Sequence, residues 1–251
     1  MTVSFRLDTL AATHPGLKRR LNEDCHSLRP YEGLVAVADG MGGHAHGDWA
    51  SQAVVNALNS ASIPPLFADA VQSVADAVHS ANRRIWAESQ RREQQMGSTV
   101  VALLVQDGNF AALWVGDSRI YLLRDGQLHL LTRDHSQVQE MVDRGLITAA
   151  EAKDHPRGHV LARAVGVGAR LQVDVVTDQV QAGDLFLLCS DGLTAVLDES
   201  ALAALLAGRD SRQSLDALIA ATLAGGAPDN VTAVLAGVHE ATQLSFPGGL
   251  R

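Results

Sequence analysis

Four aspartates, Asp39, Asp117, Asp191 and Asp229, are the residues of this 251-residue chain best placed by type and spacing to do chemistry. Each stands at the end of an apolar, β-forming run or in a tight turn, where the backbone is fixed and carboxylates from distant parts of the chain can converge. Leu34-Val-Ala-Val-Ala38 runs into Asp39-Gly40, and Leu185-Phe-Leu-Leu-Cys189 runs into Ser190-Asp191-Gly192 in the same manner. Taken one at a time, an aspartate before glycine is ordinary turn chemistry. Asp39 and Asp191, however, each end an uncharged run, and a carboxylate there is costly without a counter-ion. No lysine or arginine lies within a few residues of Asp39, Asp191 or Asp229, so a metal ion is the simplest compensating charge. Oxygen ligands with no accompanying cysteine or clear histidine suit Mg2+ or Mn2+ rather than Zn2+. Ions of that kind serve phosphate chemistry.

The elements that must hold these residues can be read from periodicity. Leu34 to Ala38 predicts a buried strand that ends abruptly at Asp39-Gly40, with a helix starting near Asp48. A longer amphipathic helix follows Pro64-Pro65, with Val71, Val74, Val78 and Ile85 at helical spacing. From Ser98 to Thr132 short strands are broken by Asp107-Gly108-Asn109, Gly116-Asp117-Ser118 and Asp125-Gly126, a pattern that predicts an antiparallel meander. Ser136 with Gln139, and Thr148 with Glu151, form capping boxes for two short helices in an otherwise irregular stretch reaching about Gly168. Leu185 to Cys189 predicts a second buried strand, followed by helices at about 199 to 207 and 211 to 224. Gly225-Gly226 and Pro228-Asp229-Asn230 then lead into a last strand, Val231 to Val238. Hairpins alternating with long helices imply antiparallel sheets covered by helices, not a doubly wound parallel sheet.

Composition narrows the class. With 47% hydrophobic and 19% charged residues the chain is globular, and its length suits one domain with a substantial core. A formal net charge of −8 argues against affinity for nucleic acid or an anionic membrane and favours cations. No leader-like start and no apolar run of membrane-spanning length is present, so a soluble, cytoplasmic protein is expected. Cys25 and Cys189 match no metal or redox spacing and are expected as buried free thiols.

Six motifs then stand in a familiar order: Arg19-Arg-Leu-Asn-Glu23-Asp24, Val37-Ala-Asp39-Gly-Met-Gly-Gly-His44, Gly97-Ser-Thr99, Val115-Gly-Asp117-Ser-Arg119, Ser190-Asp-Gly192 and Asp229-Asn-Val-Thr232. In these the chain resembles the bacterial branch of the type 2C metal-dependent protein serine/threonine phosphatases, over nearly its whole length. The resemblance implies an α+β fold, a central sandwich of two mainly antiparallel sheets flanked by helices in four αββα layers. A flap insertion would lie at about 134 to 168, within one catalytic domain over 1 to 240, with a tail over 241 to 251. It implies Mn2+ or Mg2+, two core ions and a third. Asp39 would bridge the two core ions, with the Gly40 carbonyl on one and Asp191 and Asp229 on the other. Glu23 and Asp24 would act through metal-bound waters, Asp117 would share the third ion with Asp191, and Arg19 would bind the phosphate. The implied reaction is hydrolysis of phosphoserine or phosphothreonine in protein substrates of a Ser/Thr kinase, by direct attack of a metal-bridging hydroxide. Animal members carry a histidine directly after the metal-binding Asp-Gly where this chain has Met41. That leaves His44, His46 or a metal-bound water as alternatives for the acid.

Two rival readings differ in class or substrate. Gly40-Met-Gly42-Gly-His-Ala45 formally matches a nucleotide-binding GxGxxA, but Asp39 would face the pyrophosphate and no acidic residue follows about 20 positions on. A related branch acts on regulators of sigma factors, which alters the substrate and not the chemistry. Cysteine-based and P-loop chemistries fail for want of their motifs.

Overall fold

The structure is a computed structural model and describes residues 5–42, 46–153, 155–158, 160–208 and 210–240. In order, the chain forms β1 (Phe5–His14), β2 (Asp24–Arg29), β3 (Leu34–Met41), α1 (Gly47–Ser60), α2 (Phe67–Arg92), β4 (Gly97–Ser98), β5 (Val100–Gln106) and β6 (Asn109–Val115). It continues with β7 (Arg119–Arg124), β8 (Gln127–Leu130), α3 (Gln137–Asp143), α4 (Ala149–Lys153), β9 (Asp174–Gln179), β10 (Leu185–Cys189), α5 (Asp191–Thr194), α6 (Glu199–Leu206), α7 (Ser211–Ala224) and β11 (Val231–Glu240).

Two sheets result, ordered β1-β11-β10-β7-β8 and β2-β3-β5-β6-β9, with β4 added beside β3. Every recorded strand pairing is antiparallel. Strand alternation sorts the apolar residues into three layers of core. Val35 and Val37 of β3, Leu103 of β5, Phe186 and Leu188 of β10 and Val234 and Ala236 of β11 meet between the sheets. On the opposite face of the β3 sheet, Leu34, Ala36 and Ala38 pack under Val54 and Leu58 of α1 and Val74, Val78 and Ile85 of α2. Leu187, Cys189, Ala233 and Leu235 pack under Leu202, Leu206, Leu215 and Leu218 of α6 and α7. The four-layer sandwich expected from the sequence is therefore present. Among the described residues no helix is long and apolar enough to cross a membrane.

One element differs from expectation. The 98–132 segment is not one meander but two hairpins in different sheets, β5 with β6 and β7 with β8. The Asp107-Gly108 and Asp125-Gly126 turns have positive φ at both residues, 51° and 76° in each case, the mirror-image turn that a twisted two-residue hairpin requires. Gly116-Asp117-Ser118 instead carries the chain from one sheet to the other, with Gly116 at φ 108°. Strands β1, β2 and β9 also go unannounced by periodicity. All three are edges, where a partly exposed rim removes the uninterrupted apolar run that marks a central strand. Cys189 is buried, as expected, whereas Cys25 is only half-buried.

Candidate metal centre

The ends of several strands gather at one edge of the sandwich. Register pairs Asp24, at the start of β2, with Asp39, near the end of β3. Cys189, two residues before Asp191, pairs with Ala233 of β11 on one side and with Arg119 of β7 on the other. Asp229 and Asp117, just ahead of β11 and β7, therefore come to the same edge as Asp191. His14 pairs with Val231, which brings the 15–23 connection, with Arg19 and Glu23, over that edge too.

The backbone around the carboxylates is tightly pinned. Asp39 N–H donates to Thr99 Oγ1 at 3.0 Å, its carbonyl accepts from Thr99 N–H at 2.8 Å and from Ser98 Oγ at 3.0 Å, and Thr99 Oγ1 lies 2.7 Å from Ser118 Oγ. Gly40 N–H donates to the Glu23 carbonyl at 3.1 Å, and Glu23 Oε1 accepts from the first amide of α1, Gly47, at 3.2 Å. A Cβ on Gly40 would sit 2.0 Å from the Gly47 carbonyl oxygen, so only glycine lets the helix start approach the aspartate loop. Asn230 knots the opposite side. Its amide donates to the Pro15 and Leu21 carbonyls at 2.9 and 2.8 Å, and its side-chain oxygen accepts from Glu23 N–H at 2.8 Å.

Crowding and burial make this edge unfavourable for ionised carboxylates on their own. Desolvation, then the charges of Asp24, Asp191, Asp117 and Asp229, hold the Asp39 carboxyl well above the usual carboxylate range. Asp24 is pushed up to about 7, chiefly by burial, against stabilising hydrogen bonds from Thr232 and Ser190. Asp117 also rises to about 7, by burial and then by the Asp191 and Asp134 charges. Asp24 Oδ2 accepts from Ser190 Oγ at 2.8 Å while its Oδ1 is buried without a hydrogen-bond partner. Mutually repelling carboxylates and an orphaned buried oxygen fit a divalent ion. Among the described residues no three His, Cys, Asp or Glu side chains already stand in chelating positions.

Asp229 does have a cationic neighbour, for Arg19 Nη2 donates to its Oδ2 at 2.7 Å across 210 residues of chain. This hydrogen bond, before the charge of Asp229 itself, raises the Arg19 pKa. Sequence distance hid the pair because a strand pairing between β1 and β11 brings the two segments together. Arg20, beside Arg19, is exposed. His46 precedes α1 with its Nδ1 3.3 Å from Arg92 Nη1, while His44 lies outside the described residues. Asn230, Ser190 and Thr99 fell within recognised motifs, but nothing in the sequence shows that they fix the backbone and Asp24.

Residues 18–236 match the family profile for protein phosphatase 2C. The chain is 38% identical over 238 residues to the serine/threonine protein phosphatase PstP of Mycobacterium tuberculosis, covering 94% of this chain but spanning only 46% of that relative's length. It is 36% identical to the serine/threonine phosphatase stp of Listeria welshimeri, covering 94% of this chain and 95% of the relative. The solved catalytic domain of PstP in complex with two manganese ions superposes with a TM-score of 0.86 at 36% identity, covering 94% of this chain and 100% of that one.

Proposed function

The chain belongs to the protein phosphatase 2C family, and from that membership and the carboxylate centre we propose that it is a metal-dependent protein serine/threonine phosphatase. The observation that carries the proposal is the gathering of Asp24, Asp39, Asp117, Asp191 and Asp229 at one sheet edge, with Arg19 bonded to Asp229; burial, and then the neighbouring charges, hold the Asp39 carboxyl above its ordinary range. The relative's two manganese ions support two core ions here; these would be Mn2+ or Mg2+, and Asp39 would help to hold both. Gly40 would offer its carbonyl to one ion, and Asp191 and Asp229 their carboxylates to the other. Glu23 and Asp24 would act through waters, and Asp117 with Asp191 would hold a third ion.

Bound ions of this type lower the pKa of a coordinated water and neutralise charge on the phosphoryl group. The chain's own residues bind and orient. Arg19, exposed and anchored through one nitrogen to Asp229, retains N–H donors for two phosphate oxygens, a geometry lysine does not match. Thr99 and Asn230 keep the Asp39 and Glu23 backbones in place, so that the carboxylates need not reorganise as charge develops. The proposal takes residues 1–240 as one catalytic domain and 241–251 as a tail outside the described residues. Its substrates are phosphoproteins made by a Ser/Thr kinase, in a cytoplasm reducing enough to keep Cys25 and Cys189 free.

Arg19→Lys tests the phosphate contact. A charge-assisted hydrogen bond is worth about 1.5–3 kcal/mol, so KM for a phosphothreonine peptide should rise by at least about tenfold with a smaller change in kcat. An unchanged KM would remove Arg19 from the site.

A further inference from the structure

One polar network near the centre has no part in the proposed chemistry, and it converges on His135. This residue is 9% exposed, and its ring stacks on Trp114 at a centroid distance of 6.1 Å and an interplanar angle of 20°. It grips Gly116 twice. His135 N–H donates to the Gly116 carbonyl at 2.9 Å, and Gly116 N–H donates to His135 Nδ1 at 3.1 Å. Because Nδ1 accepts, the ring proton belongs on Nε2, which lies 3.2 Å from Asp174 Oδ2. The other oxygen of Asp174 accepts from Arg163 Nη1 at 2.6 Å, and the His135 carbonyl accepts from Ala162 N–H at 2.7 Å. Both roots of the 134–168 insertion are thus fastened to this one residue.

Gly116 immediately precedes Asp117. A Cβ at Gly116 would lie 2.6 Å from Thr99 Cγ2, and Ser118, on the other side of the aspartate, bonds Thr99 Oγ1 at 2.7 Å. Asp117 is therefore held between two anchors, Thr99 and His135. A phenylalanine could stack on Trp114 as well, but would leave the Gly116 N–H orphaned, so packing alone does not account for a histidine.

We propose that His135 is a positioning residue that aims Asp117 by holding Gly116 through its Nδ1. The proposal rests on reading Asp117 as a holder of the third ion. Two substitutions in the full chain separate the ring's two hydrogen bonds. His135→Asn keeps an oxygen near the Nδ1 position and gives up Asp174; His135→Gln keeps a donor near the Nε2 position and gives up Gly116. Three readouts apply: amide exchange at Gly116 in the metal-free protein, the number of Mn2+ ions bound at equilibrium dialysis, and kcat and KM on a phosphothreonine peptide. With His135→Gln, Gly116 exchange should quicken by about tenfold, the loss of one hydrogen bond. That variant should also bind one ion fewer than wild type and lose kcat with KM unchanged, while His135→Asn behaves as wild type. Equal exchange rates and equal ion counts in the two variants would overturn the proposal. Asp117→Ala binding as many ions as wild type would instead overturn the third-ion reading, and the exchange comparison would still decide whether His135 fixes Gly116.

Discussion

Asp39 shows how a single carboxylate can be a liability to the fold and the reason for the site. Burial and four neighbouring negative charges raise its pKa well above the usual range, so the folded chain resists ionising it more than the unfolded chain does. The contribution of such a group is fully present below the unfolded pKa of 3.8 and is lost as pH rises through the raised folded value. Asp39→Asn should therefore be more stable than wild type in chelator at pH 8. A Tm gain of at least about 3 °C, the effect of roughly 1 kcal/mol in a domain this size, is expected by calorimetry. The gain should shrink toward zero as pH falls to about 4, because the wild-type carboxyl is then protonated. The same variant should lose metal-dependent hydrolysis. Equal Tm values at both pH values would mean that the other aspartates exert no strain on Asp39. The candidate ligands were legible because Asp39 and Asp191 interrupt apolar strands with a charge. The pairing of Arg19 with Asp229 was not, because a contact across 210 residues leaves no local trace.

The ends of β3, β6, β10 and β11 aim the carboxylates, and small residues let those ends close on one another. Gly192 follows Asp191 at the start of α5, and a Cβ there would lie 1.9 Å from the Asn230 carbonyl oxygen. That obstacle is backbone and cannot rotate away. Gly192→Ala should push Asp191 from Asn230, cost about 1–3 kcal/mol in urea unfolding and reduce activity more than that loss of stability explains. Wild-type activity and stability would show that the α5 start does not need this close approach. Periodicity found the central strands and long helices within a residue or two, since apolar runs and capping boxes are local signals. It joined β5 through β8 into one meander because a crossover between sheets and a hairpin turn both read as Gly and Asp. Which one forms is decided by the face on which the following strand buries its side chains, Ile120 and Leu122 between the sheets and Tyr121 beneath the helices.

At the scale of the molecule, three apolar layers hold two sheets and two pairs of helices in register, and every candidate ligand lies at one edge of that frame. The arrangement explains how residues from 19 to 230 act together although no two motifs are adjacent in sequence. The ordered motifs made this architecture legible where composition could not, for an acidic globular chain of this size has many folds open to it. His135 escaped notice for the opposite reason, since its role depends on Gly116 and Asp174, which only the folded chain brings to it. The most direct test of the central claim is release of phosphate from a phosphothreonine peptide by the purified chain, with Mn2+ or with excess chelator, in wild type and Asp191→Asn. Hydrolysis by wild type with Mn2+ alone, and by Asp191→Asn in neither condition, is the expected result. Undiminished release in chelator would contradict it.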